Sequence, residues 1–132
     1  MIYLYPDFDY PILFRLFRIA GAGLGNLLFD FANVLVIKEQ NPGTEIIWPE
    51  WNSFKLGTYL RQERDKRLYR KLFENDGSFV DGFSKMYLLI FSNKFFTGSK
   101  DIPFDKIGDN TVILFRNRNY TFEGLHEYRD II

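Results

Sequence analysis

Gly21, Gly23 and Gly25 alternate along the chain and are followed at once by Asn26. Three glycines in five residues mark a tight turn or a close backbone approach, because glycine alone adopts such conformations without steric cost. Placed between a strand and a helix, such a turn presents backbone N–H groups and the positive end of the helix. Both favour a phosphate or pyrophosphate. The spacing differs from the dinucleotide fingerprint, and no Gly-Lys-Ser/Thr follows, so neither a dinucleotide loop nor a triphosphate P-loop is read here. A sharp turn that serves packing alone is the competing reading.

Other residues with chemical potential are scattered. Arg15 and Arg18 interrupt the apolar run Ile12 to Ile19. Arg18 would stand near the carboxyl end of a strand, where open α/β sheets bind ligands, and a guanidinium there could hold a phosphate through two bonds. An ordinary surface arginine explains it equally well. Trp51 and Phe54 could stack on the apolar face of a sugar or simply pack a loop. His126 beside Glu127 could act in acid–base chemistry, since histidine titrates near neutrality; a polar surface or capping role is the alternative. Asp30, Glu50, Glu123 and Glu127 are candidate bases, but no spacing singles out a pair. Arg61 to Lys71 carries an excess of positive charge that a solvated helix face accounts for.

The elements that must position these groups follow from periodicity and turn residues. Met1 to Pro11 reads as an extended lead-in, with at most a short edge strand at Ile2 to Tyr5. A strand is expected from about Leu13 into Ile19, then the turn Ala20 to Asn26. A helix is expected from Leu27 to Gln40. Asn26 is its candidate N-cap, Leu28, Phe31 and Leu35 share a side, and Asn41-Pro42-Gly43 stops it. Thr44 to Trp48 is a second strand, which makes a βαβ unit and implies a parallel sheet. A further helix is expected from Thr58 or Tyr59 to about Phe73. The apolar run Met86 to Phe91 leans helical, Thr97 to Asn110 is rich in turns, and Val112 to Phe115 and Tyr120 to Leu125 read as strands. Glu127 to Ile132 resembles the first turns of a helix, so the chain reads as cut within its architecture.

Composition narrows the classes. The 132 residues suit one domain, and 19% aromatic residues supply large apolar areas for a core. Lys plus Arg and Asp plus Glu are 17 each, a balance that argues against nucleic acid as a partner. There is no cysteine and one histidine, which excludes a disulfide, a thiolate nucleophile and a multi-histidine metal site; no metal is expected. No run reaches 18 apolar residues and the N-terminus lacks a basic leader, so no transmembrane segment or signal peptide is expected. These features suit a cytoplasmic protein, at most peripheral to a membrane.

The stretch from Phe17 to Ala32, FRIAGAGLGNLLFDFA, resembles the opening of the alpha-1,2-fucosyltransferase family, glycosyltransferase family 11. That family begins with a strand followed by Gly-Leu-Gly-Asn-Gln-(Leu/Met)-Phe-Gln-(Tyr/Phe)-Ala. Gly23, Leu24, Gly25, Asn26, Leu28, Phe29, Phe31 and Ala32 match it residue by residue. Leu27 and Asp30 stand where the family has glutamine. The segment Phe122 to Tyr128 is similar to the family's strand ending in Gly-Tyr-(Phe/Trp)-Gln, with Glu127 at the glutamine position. The family's His-x-Arg-Arg-Gly-Asp donor motif has no counterpart in this chain.

The resemblance implies an α/β fold, the Rossmann-like parallel-sheet half of a GT-B-type glycosyltransferase. Residues 1–132 would form the N-terminal domain, with the C-terminal donor-binding domain absent. It implies an inverting transfer from GDP-fucose or a related nucleotide sugar to a hydroxyl of a glycan acceptor, with no cofactor, and a fragment inactive by itself. Arg18, Gly21, Gly23, Gly25 and Asn26 are the expected donor-binding residues. Asp30, Trp51, His126 and Glu127 are the expected substrate-binding residues, and no catalytic base is assigned. A non-catalytic carbohydrate-binding or interaction domain derived from such an enzyme is the alternative.

Overall fold

The computed structural model describes residues 1–8, 11–18, 24–51, 60–62, 72–117 and 125–130. Four strands form a parallel sheet: β1 (Ile2–Pro6), β4 (Thr44–Ile46), β5 (Asn93–Thr97) and β6 (Thr111–Phe115), in the order β4-β1-β6-β5. Two further short strands, β2 (Pro11–Ile12) and β3 (Phe17–Arg18), form a separate antiparallel ribbon. Helix α1 (Leu24–Gln40) and helix α2 (Gly82–Phe91) cover opposite faces of the sheet.

The strand register explains the two cores. Ile2, Leu4 and Pro6 pair with Thr111, Ile113 and Phe115, while Tyr3 and Tyr5 pair with Val112 and Leu114. Side chains alternate across a strand, so each pairing assigns both partners to the same face. Leu4, Ile46, Ile113 and Phe115 pack against Val34 and Ile37 of α1. Tyr5, Ile47, Val112 and Leu114 pack against Leu88 and Leu89 of α2. Every residue of β6 is buried, as expected for a central parallel strand with helices on both sides.

Three expectations are corrected. The first strand of the parallel sheet is Ile2–Pro6, at its centre, and not the run from Leu13. That run instead folds back on itself as the β2–β3 ribbon. Arg15 gives a physical reason: in a central strand both faces are apolar and a charge there costs several kcal/mol (roughly) unless paired, whereas in the ribbon Arg15 reaches Asp7. The uncharged run Ile2 to Pro6 meets no such penalty. Helix α1 begins at Leu24, so Gly25 and Asn26 lie within its first turn and Asn26 is not an N-cap. Its buried apolar residues are Leu27, Val34 and Ile37 on one side and Phe29, Ala32 and Val36 on another, whereas Leu28 is exposed.

Other expectations hold with shifted bounds. Met86 to Phe91 is helical, as the second half of α2, and Thr111–Phe115 is a strand. Phe95 and Phe96, which follow Met86 to Phe91, belong instead to strand β5. The expected helix to Phe73 and the strand Tyr120 to Leu125 fall almost wholly outside the described residues. His126–Tyr128 is a single 3-10 turn rather than the start of an α-helix. Among the described residues, no helix is long and apolar enough to cross a membrane.

Candidate functional site

Open α/β sheets bind ligands outside the carboxyl ends of their strands, where neighbouring connections diverge. The carboxyl ends of interest here are those of the two central strands, β1 and β6. The chain leaves β1 toward α1 and β4 on one side, and β6 arrives on the other. The main chain extends the pairing one step, since the Asp7 N–H donates to the Phe115 carbonyl at 2.8 Å. Asp7 and Arg116 therefore emerge side by side just past the strand ends.

Asp7 is buried and acts as a hub. Its Oδ1 accepts from Arg15 Nε at 2.8 Å, and its Oδ2 accepts from an Arg116 terminal nitrogen at 2.8 Å. Arg116 Nε also donates to the Asp7 carbonyl at 2.8 Å. Charge-assisted bonds of this kind are roughly twice as strong as neutral ones. The arrangement fixes the end of β1, the end of β6 and the β2–β3 ribbon to one carboxylate.

The ribbon reaches this hub through an unusual backbone. Leu13, Phe14 and Arg15 all have left-handed conformations, with φ of 44°, 54° and 69°. Non-glycine residues pay about 1 to 2 kcal/mol each for that geometry. The turn is held by the Arg15–Asp7 pair, by the Tyr5 hydroxyl donating to the Arg15 carbonyl at 3.2 Å, and by the Arg15 guanidinium over the Phe96 ring at 5.2 Å. Burial pushes the Tyr5 phenol well above its usual range, and the negative charges of Asp7 and Glu50 add to the shift. Lys94, whose ammonium donates to the Leu88 and Ser92 carbonyls, is pushed down, first by burial and then by the Arg15 charge.

Two more cations border this edge. Arg18 is buried, with its guanidinium 5.1 Å from the Phe8 ring centre and a terminal nitrogen 3.4 Å from the Trp51 carbonyl. Lys85 of α2 stands 3.8 Å from Glu50 and 3.9 Å from Asp81. On the opposite face, the Asp30 carboxylate accepts the Asn117 N–H at 3.1 Å, which ties α1 to the exit of β6. The edge brings three guanidinium groups and Lys85 together with the carboxylates of Asp7, Asp30, Glu50 and Asp81, so its charges are balanced locally.

The expected site residues divide accordingly. Arg18 and Asp30 lie at this edge. Gly21 and Gly23 fall outside the described residues, while Gly25 and Asn26 are exposed in the first turn of α1. Trp51 is not a stacking platform: it is buried among Phe8, Phe31, Trp48 and Phe73, with the Phe73 ring stacked on it at 4.1 Å. His126 and Glu127 are exposed in the 3-10 turn, which is anchored on α1 through Leu125 against Val36 and through Tyr128 bonded to Gln40. Leu125 clusters with Phe29, Ala32 and Val36, so these anchors run along α1 from beside Asp30 to its C-terminal end.

Asp7, Arg116 and Tyr5 are the site residues that sequence reading misses. The signal that could find them is an apolar run of strand length followed directly by an acid or a base, as in IYLYP-Asp7 and TVILF-Arg116. No family model, no curated protein and no solved structure matches the chain. What fold and site define together is a parallel α/β sheet covered by a helix on each face, with a guanidinium-rich edge.

Proposed function

We propose that this chain is the N-terminal, Rossmann-like part of a sugar-nucleotide-dependent glycosyltransferase, similar to alpha-1,2-fucosyltransferases. The observation that carries the reading is the position of Asp30. It lies within the Gly23 to Ala32 segment, at a position where the family has glutamine, and its carboxylate accepts the Asn117 N–H, next to Arg116 at the carboxyl end of β6. The motif helix is thereby brought to the edge where such sheets take ligands.

In this reading the acceptor hydroxyl passes its proton to a general base as its oxygen attacks the anomeric carbon of the donor sugar in line. The bond to the nucleotide diphosphate breaks, and the departing negative charge is stabilised by fixed cations. Arg15, Arg18 and Arg116 are this chain's contribution to that field. A second reading, a non-catalytic carbohydrate-binding domain, is favoured by one feature: both oxygens of Asp7, the most central carboxylate, are engaged by guanidinium groups and not poised as a base.

Isothermal titration of GDP and of GDP-fucose into the protein encoded by the full open reading frame tests the proposal. Saturable binding of both is expected, weakened about tenfold in Arg116→Gln through loss of a charged hydrogen bond. A folded protein that binds neither compound removes the donor assignment. Binding of a free glycan without GDP supports the second reading.

A further inference from the structure

Helix α2 is apolar on the side that should face water. Lys85, Leu88, Leu89 and Ser92 turn toward the sheet, and Lys85, the one charged residue of the helix, is buried. On the outer side, Phe83, Tyr87 and Phe91 follow at intervals of four and form one stripe. They are 76%, 51% and 70% exposed, and the Tyr87 and Phe91 rings are in contact. A surface helix over a sheet normally carries polar residues there, and a helix apolar all round is normally buried.

The stripe belongs to a larger surface on the same side of the sheet. Phe96 of β5 pairs in register with Leu114, so both point to the α2 face, and Phe96 is 63% exposed. Arg15 lies over Phe96, which places the strained turn on that side as well, with Leu13 and Phe14 63% and 61% exposed. Lys94 links the two regions by donating to the carbonyls that end α2. Among the described residues, β5 pairs with β6 alone, so its outer edge is open.

At about 200 Å² per large side chain, these six residues leave roughly 750 Å² of apolar surface exposed. The largest patch of a typical monomer is about 300 to 600 Å². A stable dimer needs about 800 Å² per partner. The area matches that requirement when Phe96, Leu13 and Phe14 are buried together with the α2 stripe, which by itself exposes about 400 Å².

We infer that this face is the interface of a two-fold homodimer, formed by antiparallel packing of α2 against α2 of a second copy. The charge pattern selects a second copy over other occupants. The stripe carries no charge to complement a basic or acidic partner, and a net charge of zero leaves no long-range repulsion between copies. A two-fold interface must be self-complementary, and an uncharged aromatic stripe centred on Tyr87 can face its own copy across a two-fold axis. The inference is independent of the glycosyltransferase reading.

Sedimentation velocity over about 1 to 100 μM, a range covering the weaker interfaces of this size, tests it on the intact protein. The expected result is a concentration-dependent doubling of mass. The double variant Phe83→Ser/Phe91→Ser is expected to stay monomeric with an unchanged circular dichroism spectrum, because both side chains are exposed. A monomer throughout the range overturns the inference, as does a dimer that persists in a folded double variant. Open-ended oligomers also overturn it, since a two-fold contact closes. So does a monomer that instead partitions onto neutral phosphatidylcholine vesicles through the same residues, which would make the face a membrane-contact surface.

Discussion

Asp7 decides more of this molecule than any other residue at the sheet edge. It is buried and holds Arg15 and Arg116 on its two oxygens. Replacing it by asparagine leaves two guanidinium groups without their counter-charge. Breaking a fully buried pair costs about 3 to 5 kcal/mol, and because the arginine side chains keep 20% and 24% of their surface the loss should be nearer 2 kcal/mol (roughly). Urea unfolding of Asp7→Asn measures it, and a loss below about 0.5 kcal/mol would mark the hub as a solvated surface pair. Tyr5 gives a second residue-level test. Its folded pKa is raised above the ordinary 10.0, mainly by burial. Below 10.0 the phenol is protonated in both states, so stability there is untouched. Above it the unfolded chain releases the proton and the folded one retains it, so stability falls with rising pH by up to about 1.4 kcal/mol per unit from this group. Tyr5→Phe should flatten the decline in urea midpoint between about pH 10 and 11.5 relative to the parent.

At the scale of elements, β5 is the strand held least firmly, since no residue of it is fully buried and it lies at the sheet edge. Its pairing to β6 continues through the Arg116 N–H, which donates to the Thr97 carbonyl at 2.9 Å. Gly98 follows directly, and a Cβ placed there would stand 2.8 Å from the Arg116 carbonyl oxygen. Main chain cannot yield as a flexible side chain does. Gly98→Ala should therefore cost about 1 to 3 kcal/mol and loosen β5 first, seen as faster hydrogen exchange at the Arg116 amide than at the Leu4 amide. Helix α2 depends on two leucines for its seat on the sheet. Leu88→Ala should cost about 2 to 5 kcal/mol through lost burial and the cavity left behind, measured by thermal or urea unfolding. These elements also show how far pattern reading reaches. The periodicity of Leu27 to Gln40 and its Asn-Pro-Gly stop locate a helix whatever surrounds it. The same pattern misassigns the buried side, because α1 packs the sheet with one face and Leu125 with another. A helix covered on two sides no longer shows a single apolar stripe.

For the molecule as a whole, two properties are separable by experiment. The two proposals assign donor binding to the edge beyond β1 and β6, and self-association to the α2 face. Phe83→Ser/Phe91→Ser should abolish the dimer and leave GDP affinity within about twofold, whereas Arg116→Gln should do the reverse. Titration and sedimentation of the same two samples check both. The sequence alone determined the α/β class, a parallel sheet, the helix carrying the Gly23 to Ala32 motif and the strand Val112 to Phe115. Those follow from local periods of 2 and 3.6 residues and from turn residues, which act within a few positions of themselves. It also supplied Arg18 and Asp30 as residues of interest. Only the tertiary structure decided that Ile2 to Pro6 is central and that Pro11 to Arg18 is folded out. The choice between two apolar runs depends on which can be covered on both faces without burying an unpaired charge. The same holds for the edge itself. Asp7, Arg15 and Arg116 meet because strands distant in sequence lie side by side, with Asp7 and Arg116 separated by 109 positions. Trp51 was legible as an aromatic in a loop, but its burial came from Phe8, Phe31 and Phe73, three segments that no local pattern joins.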